Sequence, residues 1–320
     1  MSKERGKDNR AARKRHKEQF FSDPVIANQG EAIAYDRALR SLCKGMVVDS
    51  GKAMIRLYRQ YTQKIAEGAE AAAVAAAIGD AVALELAAMW DTYTEQFTAD
   101  GGQLAAAMVN RQTALALRSA RDAAGEAMAA AGGGGGVPPT IGALSASTGA
   151  ESGNFGGLGM MALPGDAIPV EVAPIVKAAI TENVNLIKSI PPQYLDRVAG
   201  AVTRSMQSGG SIKMLIEEIR HYGKMTMRRA RNIAHDQVHK AFEAINVAEF
   251  KRLGITKFRW LHTGGSTHPR EYHLHDAPAG LNGGVFSLDN PPVIDLRTGE
   301  RGFPGQLPYC RCTMCAVVEW

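Results

Sequence analysis

FRWLHTGGSTHPREYHLHDAPAGLNGGVFSLDNPPVIDLRTGERGFPGQLPYCRCTMCAVVEW, from Phe258 to Trp320, closes the chain and holds most of its unusual chemistry. Three of the four cysteines (Cys310, Cys312, Cys315) lie within six residues, and four of the eight histidines (His262, His268, His273, His275) within fourteen. The loop between them is so dense in glycine and proline that neither one helix nor one continuous strand can span it. Such a segment needs something beyond an apolar core to hold its shape. Clustered His and Cys supply either a metal site or a hydrogen-bonded knot.

Working outward, Ile255 to Leu261 alternates as a strand does. Thr226 starts TMRRARNIAHDQVHKAFEAINVAEFKRLG, a long helix with Gly254 as its stop. Before it, SIKMLIEEIRHYG reads as a helix capped by Ser211 and ended by Gly223. PQYLDRVAGAVTRSMQS is another, with Ser189 as N-cap and prolines in its first turn. EVAPIVKAAITENVNLIKSI is a third, stopping at Pro191-Pro192. Gly132 to Gly136 and Val137-Pro138-Pro139 open a low-complexity stretch to about Pro169, a linker rather than a phosphate loop because no Gly-Lys-Ser/Thr follows. From Ala27 to Ala131 apolar residues recur at helical spacing, with breaks expected at Asp49-Ser50-Gly51 and Asp100-Gly101-Gly102. Met54, Leu57, Tyr58, Tyr61 and Ile65 make one apolar stripe, and Leu84, Met89, Trp90, Tyr93 and Phe97 another, both read as packing surfaces.

The fold class is therefore α+β: a mostly helical N-terminal region, a glycine-rich linker, and a C-terminal helical plus small-sheet domain with a His/Cys loop. The boundaries expected are a basic tail at 1–22, an Ala-rich helical region at 23–131, the linker at 132–169 and the C-terminal domain at 170–320. The chain is 45% hydrophobic with only 6% aromatic residues, which favours helices with small-residue packing. Its net charge of +5 is chiefly a tail property, because residues 1–20 carry eight Lys or Arg against three acids. That tail is either solvated or touches DNA phosphates or an acidic protein face, with affinity that falls steeply with salt. No run of eighteen apolar residues and no secretory signal core is present, so the expectation is a soluble protein made in a host cytoplasm.

The order of elements carries a resemblance. The Ser189 helix start, a Gly-Gly-Ser stop, MRRARNIAHDQVHKAFEAIN, Gly254-Ile255 leading to Trp260, Pro269-Arg270 with His273, LNGGVF and GERGFPGQLPYCRCT resemble the phage head morphogenesis family typified by protein F of phage Mu, over about residues 170–318. The resemblance implies a minor head protein of a tailed phage. Such a protein sits in the virion at the portal or inner capsid, in multiple copies, with the portal protein and capsid or scaffold proteins as partners. No membrane is involved in the assembled head, and the packaged DNA is met through the basic tail. Where the family shows an Arg-Thr-Glu-like or Arg-Asp-Glu-like signature in the long helix, this chain has Ala234-His235-Asp236-Gln237.

A structural zinc ion needs four converging donors. Cys310 and Cys312 can supply two, and His268 and His273 the others, with His275 and Cys315 as competitors. The alternative is a knot of Arg270, Asp276 and His273 over buried thiols, with Arg311 turned away toward Asp236, Glu243 or Asp295. His235 and His239 share a helix face and read as polar surface. No paired acids and no nucleophile elbow are present, so the chain reads as a non-enzyme. The competing function classes are a metal-dependent nuclease or hydrolase acting on nucleic acid, and a soluble DNA-binding adaptor.

Overall fold

The computed structural model describes residues 19–24, 26–132, 168–208, 211–264 and 269–319, so the basic tail to residue 18, most of the linker and His268 lie outside the described residues. Five helices account for most of it: α1 (Gln29–Ala66), α2 (Ala71–Gly132), α3 (Ala173–Lys188), α4 (Ile190–Gln207) and α5 (Ile212–Arg252). Asn28 caps α1 by accepting from the Gly30 and Glu31 amides, and Ser211 caps α5 by accepting from Met214. Gly254, at φ +76°, turns the chain out of α5, as its position in sequence predicts. Ser189 does precede α4, but its hydroxyl donates to the Leu186 carbonyl and accepts from Arg229 instead of capping.

The expected helix breaks are absent. Helix α1 runs through Asp49-Ser50-Gly51, α2 through Asp100-Gly101-Gly102, and α5 through Gly223. These glycines mark close helix crossings. A Cβ on Gly101 would stand 2.5 Å from Ile187 Cγ2, and one on Gly223 would stand 2.8 Å from Val47 Cγ1. The true break after α1 is the Glu67–Glu70 turn, where Gly68 takes φ +88°.

Helices α1 to α5 share one core. Tyr35, Leu39, Met46, Met54 and Tyr58 of α1 and Phe97, Met108 and Val109 of α2 pack with Ile187, Tyr194, Val198, Ile219 and Phe242. The first expected stripe holds, with Tyr61 and Ile65 half-buried at its edge. The second is displaced: Val82, Leu86, Tyr93 and Phe97 are buried, whereas Leu84 is 75% exposed and Trp90 38%. A 3.6-residue period through alanines leaves the buried side ambiguous until a partner surface picks it. The stretch Ala71–Ala127 is long and apolar enough to cross a membrane by length and composition. Its buried Val74, Ile78, Val82 and Leu86 nonetheless sit in the common core.

A four-stranded antiparallel sheet, ordered β1-β6-β2-β3, lies at the end of α2 and α5. It comprises β1 (Gln19–Phe21), β2 (Lys257–Leu261), β3 (Val285–Ser287) and β6 (Thr313–Glu319). The last residues of the basic tail thus form an edge strand on β6. A short helix α6 (Glu271–Leu274) and a two-stranded ribbon of β4 (Val293–Asp295) and β5 (Glu300–Arg301) decorate it. Phe258, Trp260, Met314 and Ala316 make the sheet's core with Phe250 of α5 and Ala120, Ala123, Ala124 and Ala127 of α2. The register pairs Trp260 with Met314, so the end of β2 and the start of β6 meet where His262 and Cys312 project.

Candidate metal centre

The cluster forms because three chain segments end at one place. Strand β2 delivers His262, helix α6 delivers His273, and the turn before β6 delivers Cys310 and Cys312. His273, Cys310 and Cys312 are buried, and one donor atom from each lies within 4.8 Å of the others. His273 Nδ1 is 3.6 Å from Cys310 Sγ and 3.8 Å from Cys312 Sγ, and His262 Nδ1 is 3.5 Å from Cys312 Sγ. In a tetrahedral zinc site with the usual Zn–S and Zn–N lengths, neighbouring donors sit about 3.5–3.8 Å apart. His273, Cys310 and Cys312 have the spacing of part of a metal's ligand shell, and His262 approaches it from the Cys312 side alone.

Surrounding groups set the donors up. His273 Nε2 donates to the Ile294 carbonyl at 2.8 Å, which leaves Nδ1 with its lone pair facing the thiols. Trp260 packs edge-on against the His273 ring at 5.1 Å. The neighbouring Cys312 thiol, then His273 and the backbone of Cys312 and Gly305, pull the Cys310 thiol down against its own burial. Cys310, together with burial, pushes Cys312 up. Thiolates are the form that binds a metal, so a cation placed among these donors would displace their protons. The cluster can hold a metal ion.

Among the other expected ligands, His275 is exposed at the end of α6 and Cys315 pairs across the sheet with Arg259, both outside the cluster. His262, which ligand spacing alone passed over, takes a place beside Cys312. Its backbone amide is fixed by Asn282 Oδ1 at 2.9 Å. The knot expected of Arg270, Asp276 and His273 does not join those three. Arg270 donates to the Pro308 carbonyl, and Asp276 accepts from Asn282. Nor does an ion pair join Arg311 to Asp236, Glu243 or Asp295 among the described residues. Asp236 accepts instead from the backbone amide of Tyr309, a residue held at φ +61°.

Helix α5 buttresses the cysteine turn from behind. His239, expected at the surface, is 4% exposed, and its Nε2 donates to the Cys312 carbonyl at 2.8 Å. One turn on, Glu243 is fully buried and accepts from Thr313 Oγ1 at 2.5 Å, while its Oε2 has no partner. Burial holds the Glu243 carboxyl well above the usual range. A folded-state value raised above the unfolded one means that the folded chain binds the extra proton. Stability is then greatest below pH about 4.5 and falls as pH rises through the folded value. Glu243→Gln, a neutral isostere, should therefore match wild type near pH 4.5 and melt above it at pH 8, each kcal/mol showing as roughly 2–4 °C. Melting curves that run parallel across this range would mean the carboxylate is buried without penalty.

The family described as phage Mu protein F like protein matches residues 196–315, from α4 to the middle of β6. A protein of Haemophilus influenzae (strain ATCC 51907 / DSM 11121 / KW20 / Rd), described as uncharacterized, is 33% identical over 144 residues, 45% of this chain. The match covers 30% of that relative's own length. No solved structure matches. Residues 196–315 therefore form a phage Mu protein F-like segment, and the likeness to the phage head morphogenesis family drawn from the sequence holds there.

Proposed function

We propose that the chain is a non-catalytic minor head protein, seated at the portal or on the inner capsid wall in several copies per virion and taking part in DNA packaging or delivery. Portal protein and capsid or scaffold proteins are its partners. The packaged DNA is met through the basic tail, and synthesis is in the host cytoplasm. A structural zinc ion on His262, His273, Cys310 and Cys312 staples the C-terminal lobe. The observation that carries the head role is the family match over residues 196–315, which takes in the whole of α5 and every segment that feeds the cluster. The zinc assignment rests on the donor spacing and on the His273–Ile294 hydrogen bond. A structural shell is closed by four protein donors, whereas hydrolytic zinc keeps a position open for water, so whether His262 completes the shell is what separates a staple from a nuclease.

Quantitative mass spectrometry of purified heads from the phage that carries this gene tests the head role. The chain should be present at several copies per portal ring and cross-link to the portal protein. Heads that package DNA normally and contain none of it would sink the reading.

A further inference from the structure

The cysteine turn has a second side. Arg311, between Cys310 and Cys312, lines an open cleft of about 520 Å³ between the turn and α5. Arg231, Asn232 and His235 from α5, Gln29 from the first turn of α1 and Thr263 after β2 line the same cleft. No acid lines it. Thr263 Oγ1 donates to the Arg311 carbonyl, which ties the turn to the loop after β2 and fixes where Arg311 starts.

The charge in this cleft is not spent internally. Neither Arg231 nor Arg311 makes an ion pair among the described residues. Two acids whose charge reaches these groups are engaged elsewhere: Asp36 binds Arg40 in a fork at 2.7 and 2.9 Å, and Asp236 takes the Tyr309 amide at 2.7 Å. Burial first, and then Arg311 and Arg231, hold His235 below its ordinary value against the pull of Asp36, so at neutral pH it offers a neutral ring between two guanidinium groups. The cleft combines two cations that make no ion pair among the described residues with the side-chain amides of Gln29 and Asn232. That set matches the oxygens of a phosphate group, which take charge-assisted and neutral hydrogen bonds together.

We infer that this cleft binds the phosphodiester backbone of a nucleic-acid strand, with Arg231 and Arg311 as its charged contacts and the side-chain amides of Asn232 and Gln29 as its neutral ones. Among the described residues Tyr309 is the one exposed Phe, Tyr or Trp lining the cleft, so contact is with backbone and is insensitive to sequence. This site is separate from the basic tail, and its argument does not rest on a head role.

The test uses the full chain with its tail, loaded with zinc, and a labelled DNA duplex of arbitrary sequence titrated at several salt concentrations. The tail contributes equally in every variant, so differences report the cleft. For Arg231→Gln the slope of log K against log salt should shrink by about 1, and for Arg231→Gln with Arg311→Gln by about 2. Arg297→Gln, on the exposed β4–β5 turn, should leave it unchanged. Arg231 is exposed, so its variant decides the matter even if Arg311→Gln disturbs the turn. An unchanged slope for folded Arg231→Gln overturns the inference. So does a thermal shift by inorganic phosphate that Arg231→Gln abolishes while DNA binding stays as it was, because the site would then take a free anion. Binding to an acidic portal surface that Arg231→Gln weakens, with DNA binding unaffected, overturns it as well.

Discussion

Cys312→Ser in the full chain is expected to carry no stoichiometric zinc and to lose the C-terminal transition from its melt, and chelation of wild type should have the same effect. The magnitudes separate this from a metal-free knot. Binding energy of a structural zinc counts as folding energy, about 10–16 kcal/mol in isolated fingers, far more than a lobe of loops and short strands holds in reserve. A buried thiol that only accepts weak hydrogen bonds is worth about 1–3 kcal/mol at most, so its replacement would lower the melt modestly and chelator would do nothing. His262→Ala sharpens the distinction. His262 is half-buried, and without a metal its removal would be close to silent. As the fourth ligand it should cost the site its zinc at micromolar free metal while leaving the helical core's transition in place. Full zinc occupancy in His262→Ala would exclude it from the shell, and no zinc in wild type would leave His273, Cys310 and Cys312 as a hydrogen-bonded cluster.

The meeting of His273, Cys310 and Cys312 was legible in the sequence, because they sit in a segment too rich in glycine and proline to fold on apolar burial alone. His262 was not, since nothing in a ligand-spacing pattern says that a residue just past a strand will return to the cysteine turn. The signal lay in the pairing of β2 with β6, which sets Trp260 opposite Met314 and so carries His262 to Cys312. His239 was misread for a related reason. A histidine on a polar helix face is ordinary surface until a turn from seventy residues away docks its carbonyl there. The helices themselves were visible in the 3.6-residue period, but their breaks were not. Glycine inside a helical pattern marks either an end or a close approach, and only the neighbour decides which.

That ambiguity gives the second large effect. Alanine is better than glycine inside a helix by about 1 kcal/mol, so Gly79→Ala in α2, where an added Cβ meets nothing within 4 Å, should stabilise by about 0.4–1 kcal/mol. Gly101→Ala in the same helix gains the same propensity and should nevertheless destabilise. Its Cβ would meet Ile187 Cγ2 at 2.5 Å, and Ile187 is fully buried. A β-branched side chain is stiff at χ1 and cannot swing its Cγ2 aside, so α2 and α3 must separate. Overpacking of this kind costs about 1–3 kcal/mol, enough to outweigh the propensity gain. The pair is to be measured by chemical denaturation, with zinc content determined alongside. Opposite signs for Gly79→Ala and Gly101→Ala, with zinc retained in both, would show that the α2–α3 crossing holds the bundle independently of the metal. If both stabilise, the helices have room to part, and the glycine at 101 serves no packing purpose. If Gly101→Ala instead loses zinc, strain at the crossing reaches the sheet through the end of α2, whose Ala120 to Ala127 lie against the core of Trp260 and Cys312. The helices that precede the phage Mu protein F-like segment would then be part of what shapes its metal centre.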